Sequence, residues 1–163
     1  MDRLWSPWRL QYVSSTGDPR GCVFCEAVAA DEAASLVVHR GRNCYVILNL
    51  FPYNSGHLMV VPNRHIATLS SATHEERCEM MDLTQLAEQA LTEAYKPQGL
   101  NVGMNLGRSA GAGIVDHIHV HIVPRWNGDT NFMTVVGEVR VLPEDISQTA
   151  GRLRAAFADL ARP

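Results

Sequence analysis

Residues 117–124 read His-Ile-His-Val-His-Ile-Val-Pro, and histidine alternates there with Ile and Val. A period of two is typical of a β-strand, so the pattern predicts a strand over residues 117–123. Alternate side chains on one face of a strand lie about 6.6 Å apart. We therefore expect His117, His119 and His121 to line one face of a sheet, and the apolar side chains to line the other.

Three interpretations of this histidine face are open. It could be a half-exposed sheet face that happens to use histidine, a metal site with three histidine ligands, or a site of acid–base or nucleophilic chemistry. Three partly buried imidazoles are costly without partners, which argues against the first interpretation. Neighbours about 6.6 Å apart cannot easily all reach one ion at about 2.1 Å, which weakens the second. The third interpretation is favoured.

A glycine-rich loop, Asn-Leu-Gly-Arg-Ser-Ala-Gly-Ala-Gly over residues 105–113, leads into the histidine stretch. Glycines let a backbone approach an anion closely and point its N–H groups at it. Taken alone, the loop also fits an ordinary hairpin connection. It is not a nucleoside-triphosphate P-loop, because Gly-Lys-Ser/Thr is absent and the loop precedes a strand.

The remaining pattern predicts an α+β fold with an antiparallel sheet. Thr73 and Glu76 have the spacing of a capping box, and an apolar stripe follows until Lys96 and Pro97. A final helix opens at Pro143 in this interpretation. The other predicted strands cover residues 43–48, 57–61, 100–104 and part of 132–142.

Composition indicates one folded domain. The chain has 163 residues, of which 46% are hydrophobic and 19% charged, and a formal net charge of −3. This slightly acidic balance argues against general nucleic-acid binding. No apolar run reaches the roughly 20 residues that span a bilayer, and residues 1–13 do not resemble a secretory signal, so we expect a cytoplasmic protein. The expected parts are an N-terminal aromatic segment with a cysteine pair (1–30), a core (31–142) and a C-terminal helix (143–163).

Cys22 and Cys25 have the spacing of a metal-binding knuckle, although one such pair also fits two small buried residues at a turn. A closed tetrahedral site would need two further ligands.

His117-x-His119-x-His121 followed by two apolar residues resembles the signature of the histidine triad family of nucleotide hydrolases and transferases. The resemblance extends over most of the chain, including residues 47–65 and 105–125. The segments RLWSPWR, NLFPYNSGHLMVVP and HIHVHIVPRWNGDTNF look most like the branch that contains diadenosine tetraphosphate phosphorylases. The resemblance implies the histidine-triad fold, with about five antiparallel strands, one main helix and a C-terminal helix. It also implies a homodimer with a continuous sheet.

The resemblance further implies an enzyme that cleaves dinucleoside polyphosphates through a covalent nucleotidyl-histidine. His119 matches the nucleophile, and His121 matches the residue that hydrogen-bonds the phosphoryl oxygens or the leaving group. His117, the first histidine of the triad, is the third expected catalytic-site residue and would be fixed beside the nucleophile. Phosphate is the favoured acceptor, and Arg108 and Arg125 are candidate phosphate ligands. The alternatives are a hydrolase that uses water on AMP-type phosphoanhydrides or phosphoramidates, a non-catalytic purine-nucleotide-binding module, and a zinc-stabilised interaction domain.

Several substrate-binding positions follow from the same resemblance. Asn49 matches the residue that contacts the ribose, and Leu50 the residue that packs near the base. Gly113 departs from the Gln or Ser of many relatives, so one side-chain contact to the phosphate or leaving group is missing. The other matched positions are Asn105, Ser109, Gly111, Ala112 and Trp126.

The resemblance also completes the metal site. Some triad proteins and the related galactose-phosphate uridylyltransferases add a histidine after the second strand and the first histidine of the triad. The matching residues are His65 and His117. Together with Cys22 and Cys25 they imply a structural zinc ion.

Overall fold

The computed structural model describes residues 21–31, 35–129 and 144–161. These residues form five strands, three α-helices and two single 3-10 turns. The strands are β1 (Val37–Arg40), β2 (Cys44–Leu48), β3 (Leu58–Pro62), β4 (Gly99–Met104) and β5 (Val120–Arg125), and the helices are α1 (Val23–Ala29), α2 (His74–Tyr95) and α3 (Ile146–Leu160).

The five strands form one antiparallel sheet in the order β1-β2-β3-β5-β4. The predicted α+β class and the predicted antiparallel pairing of the second and third strands are therefore confirmed. In that pair of strands Cys44 lies opposite Pro62 at one end, and Leu48 lies opposite Leu58 at the other. All ten positions of β2 and β3 are buried, because both faces of the central sheet are covered.

The two faces of the sheet carry different cores. Helices α2 and α3 pack on one face, over a cluster that includes Val60, Ile118 and Ile122. A smaller cluster on the other face joins Tyr45 and Val61 to residues of α1. The predicted division of the 117–123 stretch is thus present, since its apolar residues face the long helices and its histidines face α1.

The predicted capping box of α2 is present. The hydroxyl of Thr73 accepts from the backbone N–H of Glu76, and the Glu76 carboxylate accepts from the backbone N–H of Thr73. The same carboxylate also accepts two hydrogen bonds from the guanidinium of Arg64, each 2.7 Å long. The helix ends where Lys96 takes a left-handed conformation with φ of 47°.

The strand predicted over residues 117–123 is shifted toward the C-terminus, because the observed strand is Val120–Arg125. Only His121 of the three histidines lies in it. The ladder with β3 ends at the pair Val60 and Val120, near Pro62, which has no N–H to donate. Before that point the chain is held by a hydrogen bond from the Ile118 N–H to the carbonyl of Ile66.

The C-terminal helix begins later than predicted. It starts at Ile146, and the Asp145 side chain caps it by accepting from the Ser147 N–H. Pro143 and the strand predicted in 132–142 lie outside the described residues, as do residues 1–20. Strand β1 and helix α1 are short elements that the sequence pattern did not predict, and β1 supplies the fifth strand of the described sheet.

No helix of the described ranges has both the length and the apolar character needed to cross a bilayer.

Candidate active site

A cavity of about 400 Å³ lies between α1 and the histidine-bearing face of the sheet. Strand β2 and the connection that follows it form its floor, and residues of α1 form one wall. The glycine-rich loop contributes Gly111 and Gly113, and both His119 and His121 line the cavity. The space is large enough for a small organic ligand and is bounded by many apolar side chains.

His119 is buried, with 5% of its surface exposed. Its Nδ1 lies 2.9 Å from the backbone carbonyl oxygen of His117, so Nδ1–H is the donor and the lone pair is on Nε2. Burial lowers the pKa of His119 below its ordinary value, although the hydrogen bond to His117 opposes this shift. A neutral imidazole with an unprotonated Nε2 at a cavity is suited to nucleophilic attack.

His121 is oriented by a second buried histidine, His57. The backbone N–H of Tyr53 donates to Nδ1 of His57 over 3.1 Å, and the side-chain amide of Asn49 lies 3.3 Å from the same atom. Nε2 of His57 therefore carries the proton and donates to Nδ1 of His121 over 3.0 Å. This assigns the proton of a neutral His121 ring to Nε2, from which it can be donated to an oxygen of a ligand.

The rings of His119 and His121 lie edge to face, with their centroids 4.7 Å apart. An imidazole with an unprotonated Nε2 and an imidazole with a protonated Nε2 thus lie side by side in the lining of the cavity. This arrangement can support attack on an electrophile together with stabilisation of the oxygen on which charge develops.

The structure brings some of the predicted substrate-binding residues together and leaves others apart. Asn49, Leu50, Gly111 and Gly113 line the cavity, and Leu50 does so with 60% of its surface exposed. The Asn49 side chain also accepts from the N–H of Phe51, which fixes the start of the connection after β2. Four other predicted residues do not line the cavity among the described residues: Asn105, Ser109, Ala112 and Trp126.

The two arginines proposed as phosphate ligands differ in their surroundings. The guanidinium of Arg125 donates to both carboxylate oxygens of Asp129, over 2.6 and 2.9 Å, and to the side chain of Asn101. This pairing lowers the pKa of Asp129 and occupies Arg125 away from the cavity. Arg108 is exposed in the 3-10 turn of the glycine-rich loop.

A second cluster of side chains includes His117, two residues before His119 in the sequence. The metal-binding atoms of Cys22, Cys25, His65 and His117 all lie within 4.8 Å of one another. Nδ1 of His117 is 3.3 Å from Sγ of Cys22 and 3.6 Å from Sγ of Cys25, and Nδ1 of His65 is 3.4 Å from Sγ of Cys25. These four predicted ligands could hold one metal ion.

His117 is oriented for this role by its other ring nitrogen. Its Nε2 lies 2.8 Å from the carbonyl oxygen of Pro62 and donates a hydrogen bond to it. Nδ1 therefore carries no proton, and its lone pair is available to a metal ion held between it and the two sulfurs. The residue is fully buried. A hydrogen bond from the second ring nitrogen to a backbone carbonyl is the usual way in which a ligating histidine is fixed.

The residues of α1 were missed as part of the site. Phe24 lies between the two cysteines, is 3% exposed and packs on the ring of His119. Phe24 lines the cavity together with Val23 and Ala27 of the helix and Ala30, which follows its last residue. The one feature of the sequence that could have indicated this role is the large apolar residue Phe24 between the two cysteines. The sequence does not show that this segment forms a helix packed on the histidine face.

Comparison with known proteins agrees with this geometry. A family model described as HIT domain matches residues 30–128. A protein from Mycobacterium tuberculosis named AP-4-A phosphorylase is 41% identical over 97% of this chain and 85% of its own length. Among solved structures, a zinc-bound histidine triad family protein from Mycobacterium smegmatis matches with a TM-score of 0.71 and 33% identity. That match covers 86% of this chain and 95% of the other chain.

A protein from Sulfolobus tokodaii described as a hypothetical histidine triad nucleotide-binding protein matches with a TM-score of 0.70 and 27% identity, over 86% of this chain and 95% of that one. The family model covers the described sheet and the three histidines, and the match to the Mycobacterium tuberculosis protein extends over nearly the whole chain. The chain belongs to the HIT-domain, or histidine triad, family.

Proposed function

We propose that the protein is a nucleotidyl transferase that cleaves dinucleoside polyphosphates such as diadenosine tetraphosphate, with inorganic phosphate as the acceptor. The observation that carries this proposal is the 41% identity to an AP-4-A phosphorylase over 97% of the chain. The geometry of His119 at the cavity supports the same chemistry.

The proposed reaction has two steps. Nε2 of His119 attacks the α-phosphorus of one adenylyl group, a P–N bond forms, and the bond to the bridging oxygen breaks so that ATP leaves. The Nε2 proton of His121 is available to the phosphoryl oxygens or to the departing oxygen. Phosphate then attacks the same phosphorus, the P–N bond breaks, and ADP is released from His119.

Residues of the cavity can be given roles in this proposal. Asn49 is the ribose ligand and Leu50 packs near the base, while the backbone at Gly111 and Gly113 faces the phosphates. The side chain that Gly113 lacks leaves room beside the phosphorus for a phosphate ion. Arg108 is the remaining candidate for holding that ion, since Arg125 is paired with Asp129.

We also propose that the ion held by Cys22, Cys25, His65 and His117 is zinc. Two thiolates and two imidazoles are a donor set that zinc prefers, and tetrahedral zinc places sulfur and nitrogen ligands about 3.6 Å apart. The observed Sγ–Nδ1 distances of 3.3, 3.4 and 3.6 Å fit this value. Four protein ligands leave no position for substrate, so the ion would have a structural role.

Product analysis with labelled phosphate tests the proposed reaction. The protein is incubated with diadenosine tetraphosphate and millimolar radiolabelled phosphate, and the nucleotides are separated. Phosphorolysis gives ATP and ADP, with the label in the β-phosphate of ADP. AMP as the main product, without label in ADP, would overturn phosphate as the acceptor and favour a hydrolase.

The non-catalytic alternative gives a different result. A pure binding module would bind AMP but release neither ADP nor AMP from the dinucleotide, with or without phosphate. Trapping by an alkaline denaturing quench separates these cases further, because the proposed mechanism leaves an acid-labile, alkali-stable adenylyl group on the protein and a binding module leaves none.

A further inference from the structure

Phe24 lies at the meeting point of the cysteine–histidine cluster and the proposed nucleophile. Its ring centroid is 4.9 Å from that of His119 and 5.5 Å from that of His117. Its side chain is almost fully buried in the small cluster on this face of the sheet. Its backbone is fixed as well, because the hydroxyl of Tyr45 donates to the Phe24 carbonyl over 2.8 Å.

The ring of His119 is held on three sides. Nδ1 donates to the backbone carbonyl of His117, the ring of His121 lies edge to face with that of His119, and the ring of Phe24 packs on it at an interplanar angle of 52°. One hydrogen bond alone leaves an imidazole able to turn about its side-chain torsions. Packing from Phe24 restricts that rotation and fixes the direction of the Nε2 lone pair.

The position of Phe24 depends in turn on the residues beside it. It is preceded by Cys22 and Val23 and followed directly by Cys25, so two of the four cluster residues flank its backbone. The other end of α1 is held independently. The guanidinium of Arg40 donates to the carbonyl oxygens of Ala27, Val28 and Ala30.

We infer that Phe24 is a positioning residue for the nucleophile, and that metal binding by the cysteine–histidine cluster acts on catalysis by fixing Phe24 against His119. The inference deepens the proposed function and rests on His119 as the nucleophile. A misdirected lone pair lowers the rate of in-line attack, while nucleotide binding in the rest of the cavity is retained.

The first test measures the tautomer of the His119 ring by NMR, in the absence of substrate. In ¹⁵N-histidine-labelled protein at fixed pH, the ring nitrogen signals distinguish Nδ1–H from Nε2–H, and the His119 signals are assigned by their loss in His119→Asn. Wild-type, metal-loaded protein should show the Nδ1–H form alone. Phe24→Ala and chelator-treated wild type should both show averaging between forms. An unchanged Nδ1–H signature in Phe24→Ala would overturn the inference.

The second test separates rate from affinity. Phe24→Ala should lower the single-turnover rate of His119 adenylylation by about 10²-fold and Phe24→Leu by about tenfold, with a smaller change in the Kd for AMP. Val37→Ala is the control for packing, since Val37 is 2% exposed in the same cluster. Phe24 lines the cavity and Val37 does not, so the Kd for AMP is measured for every variant to separate loss of ligand contact from loss of rate. Val37→Ala should keep the rate within about threefold of wild type. Equal rate losses in Phe24→Leu and Val37→Ala would overturn the inference, because they would show that Phe24 contributes only to the general packing of the cluster.

The third test asks whether the metal acts through Phe24. Chelation should slow the wild type by about the same factor as Phe24→Ala, and should slow Phe24→Ala by no more than about twofold further. Full additivity of the two losses would overturn the link. Failure of the proposed function is distinguished by a separate result, because wild type would then form no labelled ADP from diadenosine tetraphosphate and phosphate, whatever the ring signals show.

Discussion

His119 is the residue whose replacement should separate catalysis from binding. His119→Asn removes the Nε2 nucleophile and keeps a polar side chain of similar volume. We expect turnover of diadenosine tetraphosphate to fall by about 10³-fold or more, because a covalent step has no substitute once its nucleophile is lost. The Kd for AMP should change little, since binding relies on the rest of the cavity. Near-normal turnover in this variant would refute the role of His119.

His39 should make stability depend on pH. Its ring is half-buried and stacks on Phe157 with centroids 5.1 Å apart. Burial lowers the pKa of His39 below its ordinary value, and Glu79 only partly opposes this. The unfolded chain therefore takes up a proton first as the pH falls, so this residue reduces stability below about pH 6.5 and has no effect above it.

Urea unfolding of metal-loaded protein between pH 5 and 8 measures this effect. His39→Phe should lose less stability than wild type between pH 7 and pH 5. Replacement of the exposed His74 by Gln serves as the control and should follow the wild-type curve. Identical pH curves for wild type and His39→Phe would contradict the argument.

Helix α1 should depend on the metal ion for its attachment. Its seven residues are too few to be stable as an isolated helix, so it is held by contacts at both ends and by Phe24. Cys22→Ser should lose the bound metal, which we expect at about one zinc per chain in the wild type. The protein should also melt about 4–8 °C lower, as a loss of about 2 kcal/mol implies for a chain of this length.

Metal analysis and thermal unfolding of protein purified without chelator test this expectation. Cys78→Ser is the control, because Cys78 is exposed on α2, away from the cluster. It should keep both the metal and the melting temperature. Metal-free wild type of unchanged stability would contradict the proposed site.

Elements with strong local signals could be predicted from the sequence, and short elements fixed by tertiary contacts could not. Helix α2 was predicted through Thr73 and Glu76, whose mutual hydrogen bonds are local. Helix α1 was missed because its stability comes from the cysteine–histidine cluster and from Arg40, which are distant in sequence. The strand containing His121 was predicted, but its start was misplaced because Pro62 of a neighbouring strand limits the ladder.

The candidate site shows the same division. The alternation of histidines predicted that His119 and His121 share a face, and they line one cavity. Loop positions such as Asn105 and Ser109 were placed by resemblance alone, and the path of the loop carries them away from the cavity lining. The ion pair between Arg125 and Asp129 depends on the geometry of the turn that joins them, and the periodicity of the sequence does not predict that geometry.

The two edges of the described sheet differ in a way that bears on assembly. At the β1 edge, Arg154 of α3 donates to the carbonyl oxygens of Val37 and Ser35, so a side chain occupies backbone acceptors there. Strand β4, at the opposite edge, is exposed along most of its length. Val102 and the nearby Leu106 are 52% and 48% exposed. An exposed edge with apolar side chains is a template for pairing with another strand.

We therefore predict a homodimer in which β4 pairs with β4 of a second copy, which would join two five-stranded sheets into one. Val102→Arg places a charge on this edge and should give monomers, because like charges would meet across the twofold axis. Sedimentation equilibrium should show a dimer for wild type and a monomer for this variant. Met81→Arg is the matched control, since Met81 is 64% exposed on α2, and this variant should remain dimeric. A monomeric wild type, or a dimer that survives Val102→Arg unchanged, would contradict pairing through β4.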